Sequence, residues 1–168
     1  MKGWAVQATN PSDGLDQIRE AVNGLSESRT LLWLPLCLAV LAEAYRRTER
    51  IEEGLKAAAQ GLQLVQQGGE RCWEPELYRI RGELLLKGDP SDPAEGRAAL
   101  ESAVRVAREQ GAKLLDLRAT ISLARLLDRQ GNRSEARAML AEIYNWFTEG
   151  FDTADLREAK ALLEELAK

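Results

Sequence analysis

Residues 54–61 read Gly54-Leu55-Lys56-Ala57-Ala58-Ala59-Gln60-Gly61, and the small residues among them decide the fold. Gly54, Ala58 and Gly61 are spaced four and then three apart, which sets them on one stripe of a helix. The same spacing recurs as Gly14/Ile18/Ala21, Gly96/Leu100/Ala103 and Ala136/Leu140/Ile143. From Gly14 to Gly54 is 40 residues, from Gly54 to Gly96 is 42, and from Gly96 to Ala136 is 40. A fixed period of this length marks a helical solenoid. The small member of each triplet lets a neighbouring helix approach closely.

A second series repeats in step with the first. Leu41-Ala42 with Tyr45, Arg81-Gly82 with Leu85, and Leu123-Ala124 with Leu127 each set a small residue three before a large one. The chain therefore reads as helix pairs, each with a first helix of this second type and a second helix carrying a triplet. A partial first repeat covers 1–26, where residues 2–8 look like the tail of a helix. Full repeats follow at about 31–67, 72–110 and 113–147, and a closing helix at about 153–167. Asn10-Pro11, Asp92-Pro93 and Asn132 read as helix starts, and Gly68, Gly111 and Gly131 as stops. Leu156, Ala159, Leu163 and Leu166 share one face of the last helix, which suits a cap that covers the final repeat and faces water. No stretch alternates strictly enough to be a strand. The expected fold is all-α, a single domain over 1–168.

The small-then-bulky pattern resembles the tetratricopeptide (TPR) repeat, with units of about 40 residues in place of the usual ~34. That resemblance implies a right-handed superhelix of antiparallel helix pairs. Two motifs resemble a narrower family. Glu76-Leu77-Tyr78-Arg79-Ile80-Arg81-Gly82-Glu83-Leu84-Leu85 and Trp146-Phe147-Thr148-Glu149-Gly150-Phe151-Asp152-Thr153-Ala154-Asp155-Leu156 look like segments of the C-terminal repeat region of large bacterial signalling ATPases. Many of those carry an adenylate cyclase or a DNA-binding transcription-regulator domain. The resemblance implies a non-enzymatic scaffold or sensor region that binds a protein or peptide segment, including another domain of its own parent protein. The half-repeat at the start favours a fragment of such a parent, and it could also pair two copies as a homodimer.

Composition narrows the classes. Formal net charge is −4 with both signs interspersed, so direct nucleic-acid binding is not expected. The longest apolar run, 31–42, is too short to cross a bilayer, and the N-terminus lacks the apolar core of a signal peptide. A cytoplasmic location is expected. There is no histidine, which removes the commonest metal ligand and general base. Cys37 and Cys72 read as small buried hydrophobes in a reducing compartment. No phosphate-binding loop is present, and no cofactor, metal or catalytic group is expected.

In TPR solenoids the first helices line the concave face. Superposing the repeats places Glu43, Glu83 and Arg125 at one level, with Leu36, Glu76 and Arg118 at another. Arg79 shares a third level with Ala39 and Ile121. One reading is a polar groove in which Arg79, Arg118 and Arg125 hold an acidic segment, with Glu76 and Glu83 rejecting the wrong charge pattern. The other is a solvated face of Glu–Arg pairs on neighbouring helices. Trp33 and Trp73 are repeat-equivalent, with Leu115 in the third place; they could rim a ligand site, but such aromatics usually pack, so inter-repeat core is expected. Trp146, Phe147 and Phe151 are expected to fasten the closing helix. A small-molecule sensor in the hollow and a self-association module are the remaining functional readings.

Overall fold

The structure is a computed structural model that describes residues 11–27, 33–68 and 70–168. The helix tail expected at 2–8 lies outside the described residues. Among the described residues there are eight helices and no strand. They are α1 (Pro11–Glu27), α2 (Leu34–Arg47), α3 (Ile51–Gln66), α4 (Glu74–Gly88), α5 (Ala94–Glu109), α6 (Lys113–Arg129), α7 (Arg133–Tyr144) and α8 (Ala154–Glu165). Each helix packs on the next in sequence. In addition α2 packs on α4, α4 on α6, and α6 on α8. Contacts between alternate helices put α2, α4, α6 and α8 side by side in one layer.

The triplets explain how close these layers come. Gly54, Ala58 and Gly61 are buried, as are Gly96, Leu100, Ala103, Ala136, Leu140 and Ile143. The tightest contact joins α4 to α5. A methyl group built on Gly82 would lie 2.9 Å from the Gly96 carbonyl oxygen and 2.8 Å from Leu100 Cγ. No side chain fits there, so only glycine at 82 allows this approach. Two apolar clusters result, one within α1–α4 and one within α5–α8, and Tyr78 of α4 packs against both.

Several expectations need correction. Ala21 of the first triplet is exposed, while Gly14 and Ile18 are buried. The face of α8 that packs is Leu156, Ala159, Leu162 and Leu166, with Leu163 only half-buried. At 12 residues α7 is short, ending at Tyr144 rather than near Phe147. Trp146 is 56% exposed and Phe151 is also exposed; half-buried Phe147 packs on the second cluster, and Phe151 sets its ring 5.7 Å from that of Tyr144 at the end of α7. Trp33, expected in the core, is 57% exposed. It sits at the N-cap of α2, before the wheel of buried positions begins. Cys72 is exposed for the same reason, lying in the turn ahead of α4, and Cys37 is half-buried against the first cluster. Burial pushes both thiols up from their ordinary value. No helix among the described residues is long and apolar enough to cross a membrane. Among them no group of three or more His, Cys, Asp or Glu side chains could hold a metal ion.

Candidate functional site

The layer of α2, α4, α6 and α8 lines a groove with a cavity of about 390 Å³. All six residues singled out from the sequence, Glu43, Glu76, Arg79, Glu83, Arg118 and Arg125, line it. Helix geometry alone sets three of them together. Glu76, Arg79 and Glu83 are three and four apart on α4 and form one stripe. Arg118, Ser122 and Arg125 form the matching stripe on α6.

Arg79 is the centre of the groove. Its Nε and Nη2 donate to the two Glu76 oxygens at 2.9 and 2.7 Å, and its Nη1 donates to Glu83 Oε1 at 2.7 Å. Its Nη2 also lies 3.6 Å from Glu43 of α2. The side chain is only 11% exposed, so it is not a solvated arginine. Burial would lower its pKa, but the hydrogen bonds and charge of Glu76, Glu83 and Glu43 more than reverse this and raise it. Glu43 shows the mirror effect. Burial would raise its pKa, yet hydrogen bonds from Arg46 and Arg47 and the charge of Arg79 bring it down to about 2. Arg46 donates to both Glu43 oxygens at 2.8 and 2.7 Å, and it reaches across to Glu83 at 3.2 Å.

The other two arginines are held by the closing helix. Arg118 donates from Nε and Nη2 to the two oxygens of Asp155, each at 2.9 Å. That bidentate hydrogen bond raises the guanidinium pKa, helped by the charge of Asp155 and Glu76 against the cost of burial. Arg125 Nη2 lies 2.9 Å from Glu158 Oε1. Between α4 and α6, the Ser122 hydroxyl donates a short hydrogen bond to Glu83, and Arg118 Nη1 lies 4.0 Å from Glu76. An unbroken ladder of ion pairs and hydrogen bonds thus crosses α2, α4, α6 and α8.

The groove is balanced. Its lining holds five carboxylates (Glu43, Glu76, Glu83, Asp155, Glu158) and five guanidiniums (Arg46, Arg47, Arg79, Arg118, Arg125). A ligand carrying acid alone would have to displace a carboxylate of this chain from each arginine it met. Arg46, Arg47, Ser122, Asp155 and Glu158 are the polar groove residues that reading the sequence missed. Extending the superposition by one more helix would have found the last two, because α8 stands where the next first helix of a pair would. Comparison with protein-family models, curated proteins and solved structures finds no match for this chain.

Proposed function

We propose that the chain is a TPR-like right-handed solenoid whose concave groove binds a protein or peptide segment. We place it in the cytoplasm, as a non-enzymatic scaffold or sensor region of a bacterial signalling protein. The observation that supports this reading is the ladder across the groove. Its forks and carboxylates are held in place by one another, so a ligand would lose little side-chain entropy in meeting them. The balance of signs refines the ligand. It would be a segment carrying both acid and base, exchanging partners with Arg125–Glu158 and Arg118–Asp155 rather than filling empty arginines. A segment of a single sign would leave one member of each pair unmatched, and that mismatch supplies specificity.

Selection from a displayed random-peptide library on the wild-type chain tests this. Enriched peptides should carry residues of both signs and should weaken about tenfold against Arg125→Ala, the loss of one contact worth over 1 kcal/mol. Their affinity should fall with salt. Selection that enriches no peptide, or enriches peptides indifferent to Arg125→Ala, would remove the support for a binding groove.

A further inference from the structure

We propose that the hollow at the C-terminal ends of α2, α4 and α6 is a second site, for a small molecule that carries a phosphate group on an apolar body. This goes beyond the groove reading, which concerns a peptide and a balanced lining. The hollow has a volume of about 620 Å³ and borders the groove, with which it shares Arg46, Glu83, Ser122 and Arg125. That volume lies in the range of small-molecule sites, roughly 300–1,000 Å³. Of its remaining walls, Lys87 and Arg129 supply charge, and Leu86, Pro90, Pro93 and Leu126 supply an apolar surface.

The charge here is one-sided. Arg46, Lys87, Arg125 and Arg129 line the hollow against a single carboxylate among the described residues, Glu83. Glu83 is already saturated: its Oε1 accepts from Arg79 and from the Ser122 hydroxyl, and its Oε2 lies 3.2 Å from Arg46. Asp89 and Asp92 of the neighbouring loop accept from the backbone N–H groups of Ser91, Asp92 and Ala94 and do not line the hollow. Arg129 is exposed and has no ion-pair or hydrogen-bond partner for its side chain among the described residues. Lys87 and Arg125 hold partners only at the surface. Lys87 meets Glu49 at 2.9 Å and Arg125 meets Glu158 at 2.9 Å, with every member at least 43% exposed. Pairs this exposed are weak and exchange readily.

The helix ends do not use up this charge. Cations in a last turn offset the macrodipole, and Lys87 and Arg129 stand in such turns. The last carbonyls of α6 are nonetheless capped by backbone: those of Leu126, Leu127 and Asp128 accept from Gln130, Asn132 and Gly131, and that of Leu85 in α4 accepts from Asp89. Arg129 therefore keeps its planar fork of donors unused. A phosphate monoester suits this set better than a carboxylate. It carries close to two negative charges and three acceptor oxygens, so it could fill the Arg129 fork and still draw Lys87 and Arg125 from their exposed partners. The apolar body would then lie against Leu86, Pro90 and Pro93.

The probe is phenyl phosphate, titrated calorimetrically into the full chain at low salt and at a pH well above the second phosphate pKa of about 6. Saturable binding is expected, with Arg129→Gln weakening it about tenfold through the loss of a hydrogen bond between charged groups. Benzoate, with a single charge, and inorganic phosphate, without the ring, should each bind more weakly. Arg105→Gln removes an exposed arginine that does not line the hollow, and it should leave the affinity unchanged. Circular dichroism of both variants keeps folding out of the comparison. Arg129 does not line the groove, so the outcome is independent of the peptide selection. Three results would overturn the proposal. One is the absence of saturable binding by phenyl phosphate. Another is equal weakening by Arg129→Gln and Arg105→Gln, which would be a general response to net charge. The third is benzoate or inorganic phosphate binding as tightly as the probe, which would leave the hollow holding an adventitious ion only.

Discussion

The α4 helix is held on two sides by opposite means. Against α5 it presents Gly82 to Gly96, where Leu100 and Leu86 already fill the space that a side chain on either glycine would need. Against α2 and α6 it presents Glu76, Arg79 and Glu83, long side chains that meet partners through charge. The first contact is defined by what it excludes, so it fails when atoms are added. The second is defined by pairing, so it fails when one partner is taken away. The same helix should therefore respond to opposite kinds of substitution on its two sides.

Arg79→Ala is the strongest test of the ionic side. Glu76 would then lose its bidentate partner, and Glu83 and Glu43 would keep as cations only the arginines of α2, in a site that is mostly buried. Removing one partner of a buried ion pair typically costs ~3–5 kcal/mol. Chemical denaturation should show a loss of that size. A loss under ~1 kcal/mol would mean an exposed, weak pair and would dissolve the contrast.

Acid should dismantle the same cluster. Glu43 titrates at about 2 in the folded chain against 4.5 ordinarily. A carboxylate with a depressed folded pKa stabilises fully above its unfolded value and loses that contribution as pH falls through the folded one. The window is therefore from about 4.5 down to about 2. With the side chain only 15% exposed, the shift corresponds to roughly 3 kcal/mol as an upper figure. The melting temperatures of wild type and Glu43→Gln should differ at neutral pH and converge across this window. A gap that stays constant with pH would show that Glu43 contributes through packing alone.

On the glycine side the sign depends on the neighbour. Gly82→Leu must displace Leu100 or move α5, at about 1–3 kcal/mol, despite a gain in helix propensity. Gly24 of α1 is exposed, and a methyl group there meets nothing within 4 Å. Gly24→Ala should stabilise by ~0.5–1 kcal/mol. If both substitutions raise the melting temperature, the α4–α5 contact is looser than described.

The glycine contact was legible in the sequence and the ionic one only in part. Small residues at four-three spacing identify a packed stripe locally, and the 40-residue period carries it from pair to pair. Glu76 and Glu83 flanking Arg79 were also visible, since all three lie on one helix. Glu43 and Arg46 enter from α2, and Asp155 and Glu158 from α8; their part in the ladder depends on lateral packing that no local pattern records. Nor can periodicity place a residue at a helix boundary. Trp33 and Trp73 sit at the N-caps of α2 and α4, where the wheel does not yet apply, so repeat equivalence assigns Trp33 to a core that it does not join.

The smallest effect lies at the far end of the ladder. Arg125 meets Glu158 at 2.9 Å, the same separation at which Arg118 meets Asp155, yet Arg125 is 52% exposed. At that exposure water screens the charges, and holding two long side chains costs entropy. A double-mutant cycle of Arg125→Ala and Glu158→Ala should give a coupling of only ~0.2–1 kcal/mol, shrinking with added salt. The corresponding cycle of Arg79→Ala and Glu76→Ala should give a larger coupling that salt changes little, because those charges lie out of water. The two cycles thus grade the ladder from a buried structural end to an exposed end that a ligand could borrow at low cost. Equal couplings with equal salt dependence would mean that exposure does not grade the ladder, and then Arg125–Glu158 would be no easier for a ligand to open than Arg79–Glu76.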